Sequence, residues 1–269
     1  MGKAIYMPKG KAQEYNKYAV NFFNGCSGDC SYCYCKKYPM SQFWSTTPTL
    51  KKSLVDEKTA IVIFEKELLK NLLELQEHGL FFNFSSDPFL PEAQQITFEA
   101  ARLCNQNDVP CIFLTKQANW YDLIKVTRLM NVVMWPSNSI GFTLTGHDKL
   151  EPGCATNNNR IEVMKEMFGY GVNTWASIEP VINFGSSEEM VAKTVNICSH
   201  YKIGLQSGVK QKPEEIRVFM NKVNFHISFS SLPKIPTIYW KDSLLEQAGV
   251  SRDELPQNCV NADYKFWKE

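Results

Sequence analysis

The sequence predicts an α/β fold made of six strand–helix units in a barrel-like arrangement. Three observations carry this. Short apolar, β-rich runs alternate with longer helical patterns; helix start and stop signals fall between them; and 269 residues at 44% hydrophobic content are enough for one sizeable core.

The expected strands are 19–23, 80–84, 109–114, 139–144, 172–178 and 201–206. The expected helices are 54–77, 91–105, 120–130, 157–168 and 186–198. Pro91 with Glu92 suits a first helical turn, and Gly79 and Gly169 suit C-terminal stops. Ser187 ahead of Glu188 and Glu189 places negative charge on a helix start, and Pro180 is expected to end the fifth strand. The stretch 34–54 is long, aromatic and without a period, as expected of a surface loop or a loop over a site. Beyond the sixth strand a helix over 213–223 and an extra strand over 225–229 are expected. The tail then packs Tyr264, Phe266 and Trp267 onto the body. The chain divides into an N-terminal extension (1–17), a body (18–210) and a C-terminal extension (211–269).

Lys and Arg total 29 against 28 Asp and Glu, so no global field draws a polyanion to the chain. The first residues lack the apolar stretch of a signal peptide, and no run is long enough to span a bilayer. Nine cysteines in such a chain point to a reducing, cytoplasmic setting and to metal before disulfide.

The cysteines that matter lie in NFFNGCSGDCSYCYCKK, directly after the first strand. Cys26, Cys30 and Cys33 offer three thiolates at intervals of four and three. Such a set binds three irons of a cubane and leaves the fourth open, whereas a structural cluster closes with a fourth cysteine. The competing reading is zinc with Cys35 as a fourth thiolate, although Cys33 and Cys35, two residues apart, form a poor tetrahedral pair.

This spacing, with Gly25 before the first cysteine and Tyr32 before the last, resembles the radical S-adenosylmethionine superfamily. Further segments resemble its spore photoproduct lyase-like, or DNA repair photolyase-like, branch: PKGKAQEYNKYAVNFFNGC, SSDPF, TK, LEPG and NNNR. The resemblance covers roughly residues 6–206. It implies a partial (β/α)6 TIM-like barrel, a [4Fe-4S] cluster on Cys26, Cys30 and Cys33, and S-adenosylmethionine as the second cofactor. It further implies an electron donor such as flavodoxin or ferredoxin, and reductive cofactor cleavage followed by hydrogen abstraction, with lyase chemistry in that branch. The substrate so implied is a nucleobase, a nucleotide or a nucleic-acid lesion. A small metabolite or a peptide, including glycyl-radical activation, is the alternative, and a noncatalytic iron-sulfur or zinc protein is a third.

The resemblance also assigns residues. Ser85, Ser86 and Asp87 are expected at the amino group of the cofactor's methionine, Lys116 beside Thr115 at a carboxylate or phosphate, and Arg160 at the methionine carboxylate. Thr143 and Thr145, alternate residues at the end of the fourth strand, are expected to point together into the barrel mouth. Ser177, Glu179 and Gln206 are expected near ribose and adenine. Alternative readings of these residues are an Asx or Ser turn at 85–87 and solvent-facing Lys116 and Arg160. His147 with Asp148 reads as a local hydrogen-bonding pair, or as a metal or acid–base pair. Cys154, Cys198 and Cys259 are candidate hydrogen-atom donors, and their spacing selects none of them.

Overall fold

The computed structural model describes residues 2–118, 132 and 135–268. Its strands are β1 (Ile5–Tyr6), β2 (Ala19–Val20), β3 (Phe23–Asn24), β4 (Thr49–Leu50), β5 (Leu80–Phe82), β6 (Cys111–Thr115), β7 (Ser139–Thr143), β8 (Asn173–Val181), β9 (His200–Leu205) and β10 (Thr237–Trp240). The described helices are α1 (Glu57–Lys70), α2 (Leu72–His78), α3 (Gln94–Gln106), α4 (Asn157–Gly169), α5 (Phe184–Thr194), α6 (Pro213–Ser228) and α7 (Asp242–Ala248).

Eight strands form one sheet in the order β1-β2-β5-β6-β7-β8-β9-β10. Only β1 runs antiparallel to its neighbour; all other pairs are parallel. The order never reverses, so the sheet winds in one direction like a barrel wall rather than outward from a switch point. β1 and β10 are its two edges. The result is a mostly parallel open sheet with flanking helices, consistent with a partial barrel. No described helix is long and apolar enough to cross a membrane.

Alternate strand residues face opposite sides, and this splits the interior in two. Val20, Phe82, Phe113, Ile140, Phe142, Ala176 and Ile178 join the main core with helix residues such as Phe64, Ala101, Met164 and Val191. Ala19, Phe81, Ile112 and Trp175 face the other way and meet Tyr15, Phe266 and Trp267. The two ends of the chain therefore fill the second face. Phe266 stacks on His200 with centroids 4.3 Å apart, as the aromatic tail predicts. The Lys202 ammonium pins the N-terminal segment by donating to the carbonyls of Glu14 and Tyr15 at 2.9 and 3.0 Å. Burial pushes that ammonium down to about 7. Trp175 covers Gly141 so closely that a Cβ there would lie 2.2 Å from the indole.

Several expected elements shift. The 19–23 run splits into β2 and β3, because Asn21 between them donates its side chain to Tyr6 Oη and accepts from the Phe84 amide. The 54–77 helix breaks at Asn71, whose side chain donates to the Glu67 carbonyl and ends α1. The third-unit helix starts at Gln94 rather than at Pro91. β8 continues through Pro180 to Val181, with a register irregularity between Ile178 and Val181. Residues 225–228 extend α6 instead of forming a strand, and a further parallel strand, β10, pairs with β9. The expected helix over 120–130 lies outside the described residues.

Two outcomes follow from this packing. Gly141→Ala costs about 1–3 kcal/mol in urea unfolding through overpacking, whereas Gly169→Ala, with open space around it, stays within about 0.5 kcal/mol. The Lys202 pKa lies below the unfolded value of 10.5, so between about 7 and 10.5 the unfolded chain binds the extra proton and stability rises with pH. Lys202→Met flattens that rise in urea midpoints measured across the window; an unchanged slope contradicts the assignment.

Candidate functional site

The loops following the strands β3, β5, β6, β7 and β9, with the C-terminal part of β8, surround a cavity of about 820 Å³. It opens at the C-terminal ends of the parallel strands, where barrels carry their chemistry. Cys26, Cys30 and Cys33 all line it. Their loop is set by Gly25 at φ +89, against the Ser45 carbonyl, and by the Cys26 amide donating to that carbonyl at 3.0 Å. Burial pushes the Cys26 thiol up to about 12. A hydrogen bond from Cys154 lowers the Cys30 pKa, and one from Cys35 lowers that of Cys33. Cys35 is thus a buried neighbour of the motif.

A second loop closes on the first. The Ser31 amide donates to Leu150 O at 2.9 Å and the Gly153 amide to Gly28 O at 3.1 Å. Tyr32 Oη donates to Glu151. Behind this seam, Arg160 and Glu151 form a fully buried ion pair at 2.6 Å. The guanidinium also donates to Thr143 O at 2.7 Å and to Ala155 O at 2.6 and 2.9 Å. Arg160 is therefore consumed inside the wall and does not line the cavity, while Thr143 does.

The SSDPF loop divides its labour. Ser85 donates to Phe23 O at 2.7 Å, tying the loop to β3. Asp87 accepts from Thr115 Oγ1, the Lys116 amide at 2.8 Å and the Phe89 amide at 3.0 Å, so it staples the ends of β5 and β6 together even as burial raises its pKa. Thr115 completes the staple by accepting from the Gln117 amide. Ser86 Oγ and both amide atoms of Asn83 are buried without a described partner; both residues line the cavity, and Asn83 is held at φ +78. The Lys116 ammonium reaches the Tyr32 ring at 5.6 Å. Burial opposes its charge, but Cys30, Glu151 and Cys154 outweigh burial and raise its pKa.

On the far wall, Tyr15 Oη meets Ser177 Oγ at 2.7 Å and donates to Glu179 at 2.6 Å. Lys241 bridges Glu179 at 2.9 Å and Glu14 at 3.0 Å. Ser177, Glu179 and Gln206 line the cavity. His147 and Asp148 do not act as a pair: His147 meets Ser186 Oγ at 2.8 Å, and Asp148 accepts from the Asn157 amide at 2.7 Å. Of the three candidate thiols, Cys198 is wholly buried in the core and Cys259 lies elsewhere, while Cys154 lines the cavity with its sulfur 3.8 Å from Cys30.

Sequence reasoning missed Tyr15, Asn83, Glu151 and Lys241 as members of this site, because each arrives through folding rather than through a local motif. It also missed Lys3, Lys9 and Lys11 at the cavity mouth, although the lysine pairs 36–37 and 51–52 read in the sequence as a modest rim. Lys3, Lys9, Lys11, Lys37 and Lys51 line the cavity, and none is ion-paired to a described residue.

Among the described residues no three His, Cys, Asp or Glu side chains gather to hold a single metal ion. A cubane makes a different demand, one thiolate on each of three irons, and three cysteines lining one cavity have the donor chemistry for it.

No protein-family model matches the chain. It is 26% identical over 179 residues to the uncharacterized protein MJ0683 of Methanocaldococcus jannaschii, a match covering 62% of this chain and 61% of that protein. Among solved structures the fold resembles that of SuiB from Streptococcus suis, with TM-score 0.54 and 10% identity over 85% of this chain and 50% of SuiB. The chain thus spans about three-fifths of the one relative and half of the other.

The buried clasp sets a measurable expectation. Arg160→Met strands the Glu151 carboxylate and costs about 3–5 kcal/mol of stability. Arg160→Met with Glu151→Leu costs less than the two single changes summed, as read from urea unfolding of all three variants.

Proposed function

We propose that this chain is a radical S-adenosylmethionine enzyme acting on a small molecule or a peptide admitted to its cavity. The observation that carries the reading is the meeting of Cys26, Cys30 and Cys33 with Lys116 and Ser86 in one cavity at the C-terminal ends of a singly wound parallel sheet. The fold likeness to SuiB supports the frame that this reading needs, a mostly parallel sheet with flanking helices.

Cys26, Cys30 and Cys33 would hold the [4Fe-4S] cluster, and bound S-adenosylmethionine then supplies, on one-electron reduction, the radical chemistry that removes a hydrogen atom from the substrate. The chain's own groups do the aiming. Lys116 offers an ammonium to a carboxylate beside the thiolates. Ser86, whose hydroxyl has no partner among the described residues, is the group of its loop best placed to meet an amine, since Ser85 and Asp87 are occupied. Glu179, oriented by Tyr15 and Lys241, presents carboxylate oxygens toward the ribose end, with Ser177 and Gln206 beside it. Arg160 acts one layer back, by fixing the wall that Thr143 belongs to. The apolar share of the lining, including Phe81, Phe84 and Leu114, excludes water and competing hydrogen donors.

A second reading, a nucleotide or nucleic-acid substrate, is favoured by the five rim lysines and by Tyr34 and Trp44, which line the same cavity, since cations with interleaved rings suit phosphates and bases.

The test is anaerobic incubation of the iron- and sulfide-reconstituted protein with S-adenosylmethionine and dithionite, followed by chromatography for 5′-deoxyadenosine. Wild type forms it and Cys30→Ala does not, while Ser86→Ala raises the cofactor concentration needed for half-maximal rate by about tenfold, the scale of one lost charged hydrogen bond. Equal product from Cys30→Ala would remove the proposed role of the motif.

A further inference from the structure

Cys154 approaches the cysteine motif from 124 residues away, and the contact is built. Gly153 packs so tightly on the motif loop that a Cβ there would lie 1.8 Å from Ser27 O, and one on Gly28 would lie 2.8 Å from Cys154 Sγ. Two glycines therefore let the loops touch, the two backbone hydrogen bonds between them fix the register, and the Glu151–Arg160 pair locks the second loop from behind. What this places at the seam is one thiol, 3.8 Å from the sulfur of Cys30 and 3.6 Å from the carbonyl of Gly28.

Once its sulfur is bound to iron, Cys30 has no proton and only accepts. Cys154 retains its S–H and can only donate in that contact, where the Gly28 carbonyl competes with the Cys30 sulfur for the one proton. Hydrogen bonds to ligand sulfurs stabilise the more negative, reduced state of a cluster and raise its potential. We propose that Cys154 is a positioning residue that donates an S–H hydrogen bond to the iron-bound sulfur of Cys30 and so eases reduction of the cluster. The proposal rests on the radical-enzyme reading above. One electron enters from a low-potential one-electron donor, no proton moves, and Cys154 keeps its hydrogen throughout.

The experiment is a redox titration of the full chain, reconstituted under argon, with electron paramagnetic resonance of the reduced cluster as readout. Wild type, Cys154→Ala and Cys154→Ser are compared, with iron and sulfide counted in each. At the poise where wild type is half reduced, Cys154→Ala shows a reduced-to-oxidised ratio about fivefold lower, the scale of one modest hydrogen bond. Its iron count is unchanged, and Cys154→Ser, whose hydroxyl still donates, recovers most of the ratio. A Cys154→Ala titration that overlays wild type overturns the proposal, and so does loss of iron in that variant, which would make Cys154 a ligand. If wild type itself assembles no cubane, the radical-enzyme reading fails and carries this inference with it.

Discussion

The seam between the cysteine loop and the loop after β7 is the constraint on which the rest of the site depends. Its anchor is the Arg160–Glu151 pair, with both side chains fully buried. Such a pair contributes little net stability over an apolar replacement, yet each partner without the other is a buried uncompensated charge. The geometry is thus enforced by the cost of leaving it. Glu151 holds Tyr32, Arg160 holds the carbonyls of Thr143 and Ala155, and the three motif cysteines are presented to the cavity from a loop that has little regular structure of its own.

The open sheet poses a second problem, since a barrel wall that does not close leaves one face without a partner. Here the N-terminal segment and the C-terminal aromatics cover it. Tyr15 crosses to the ends of β8 and Phe266 with Trp267 lies against the second core. The cover is not only structural, because the Tyr15 hydroxyl that fills the face also orients Glu179 at the cavity wall. Packing and site electrostatics therefore share the same residue, and Lys241, with 3% side-chain exposure between Glu14 and Glu179, couples them further.

The cysteine motif was visible because its three cysteines lie within eight residues, and folding brings all three to one cavity. The strand–helix alternation was legible for the same local reason. Arg160 was not, since a sequence displays a charge but not the carboxylate and carbonyls that consume it. Asp87 and Ser85 present the same problem: their polarity is visible, and their occupation by Thr115, the Lys116 amide and Phe23 O appears only on folding. β10 escaped because TIYW follows a Pro-punctuated stretch and is short, and its identity as a strand comes from pairing with β9. Cys154 stood among three equivalent thiols until the seam selected it.

On the proposed reading, Cys26, Cys30 and Cys33 would hold a cubane and leave one iron without a cysteine ligand. Mössbauer spectroscopy of the chain reconstituted with iron-57, recorded with and without S-adenosylmethionine, tests it most directly. Four irons per chain are expected, one of which changes its signal when the cofactor is added. Four irons that all ignore the cofactor, or zinc bound in place of a cubane, would contradict it.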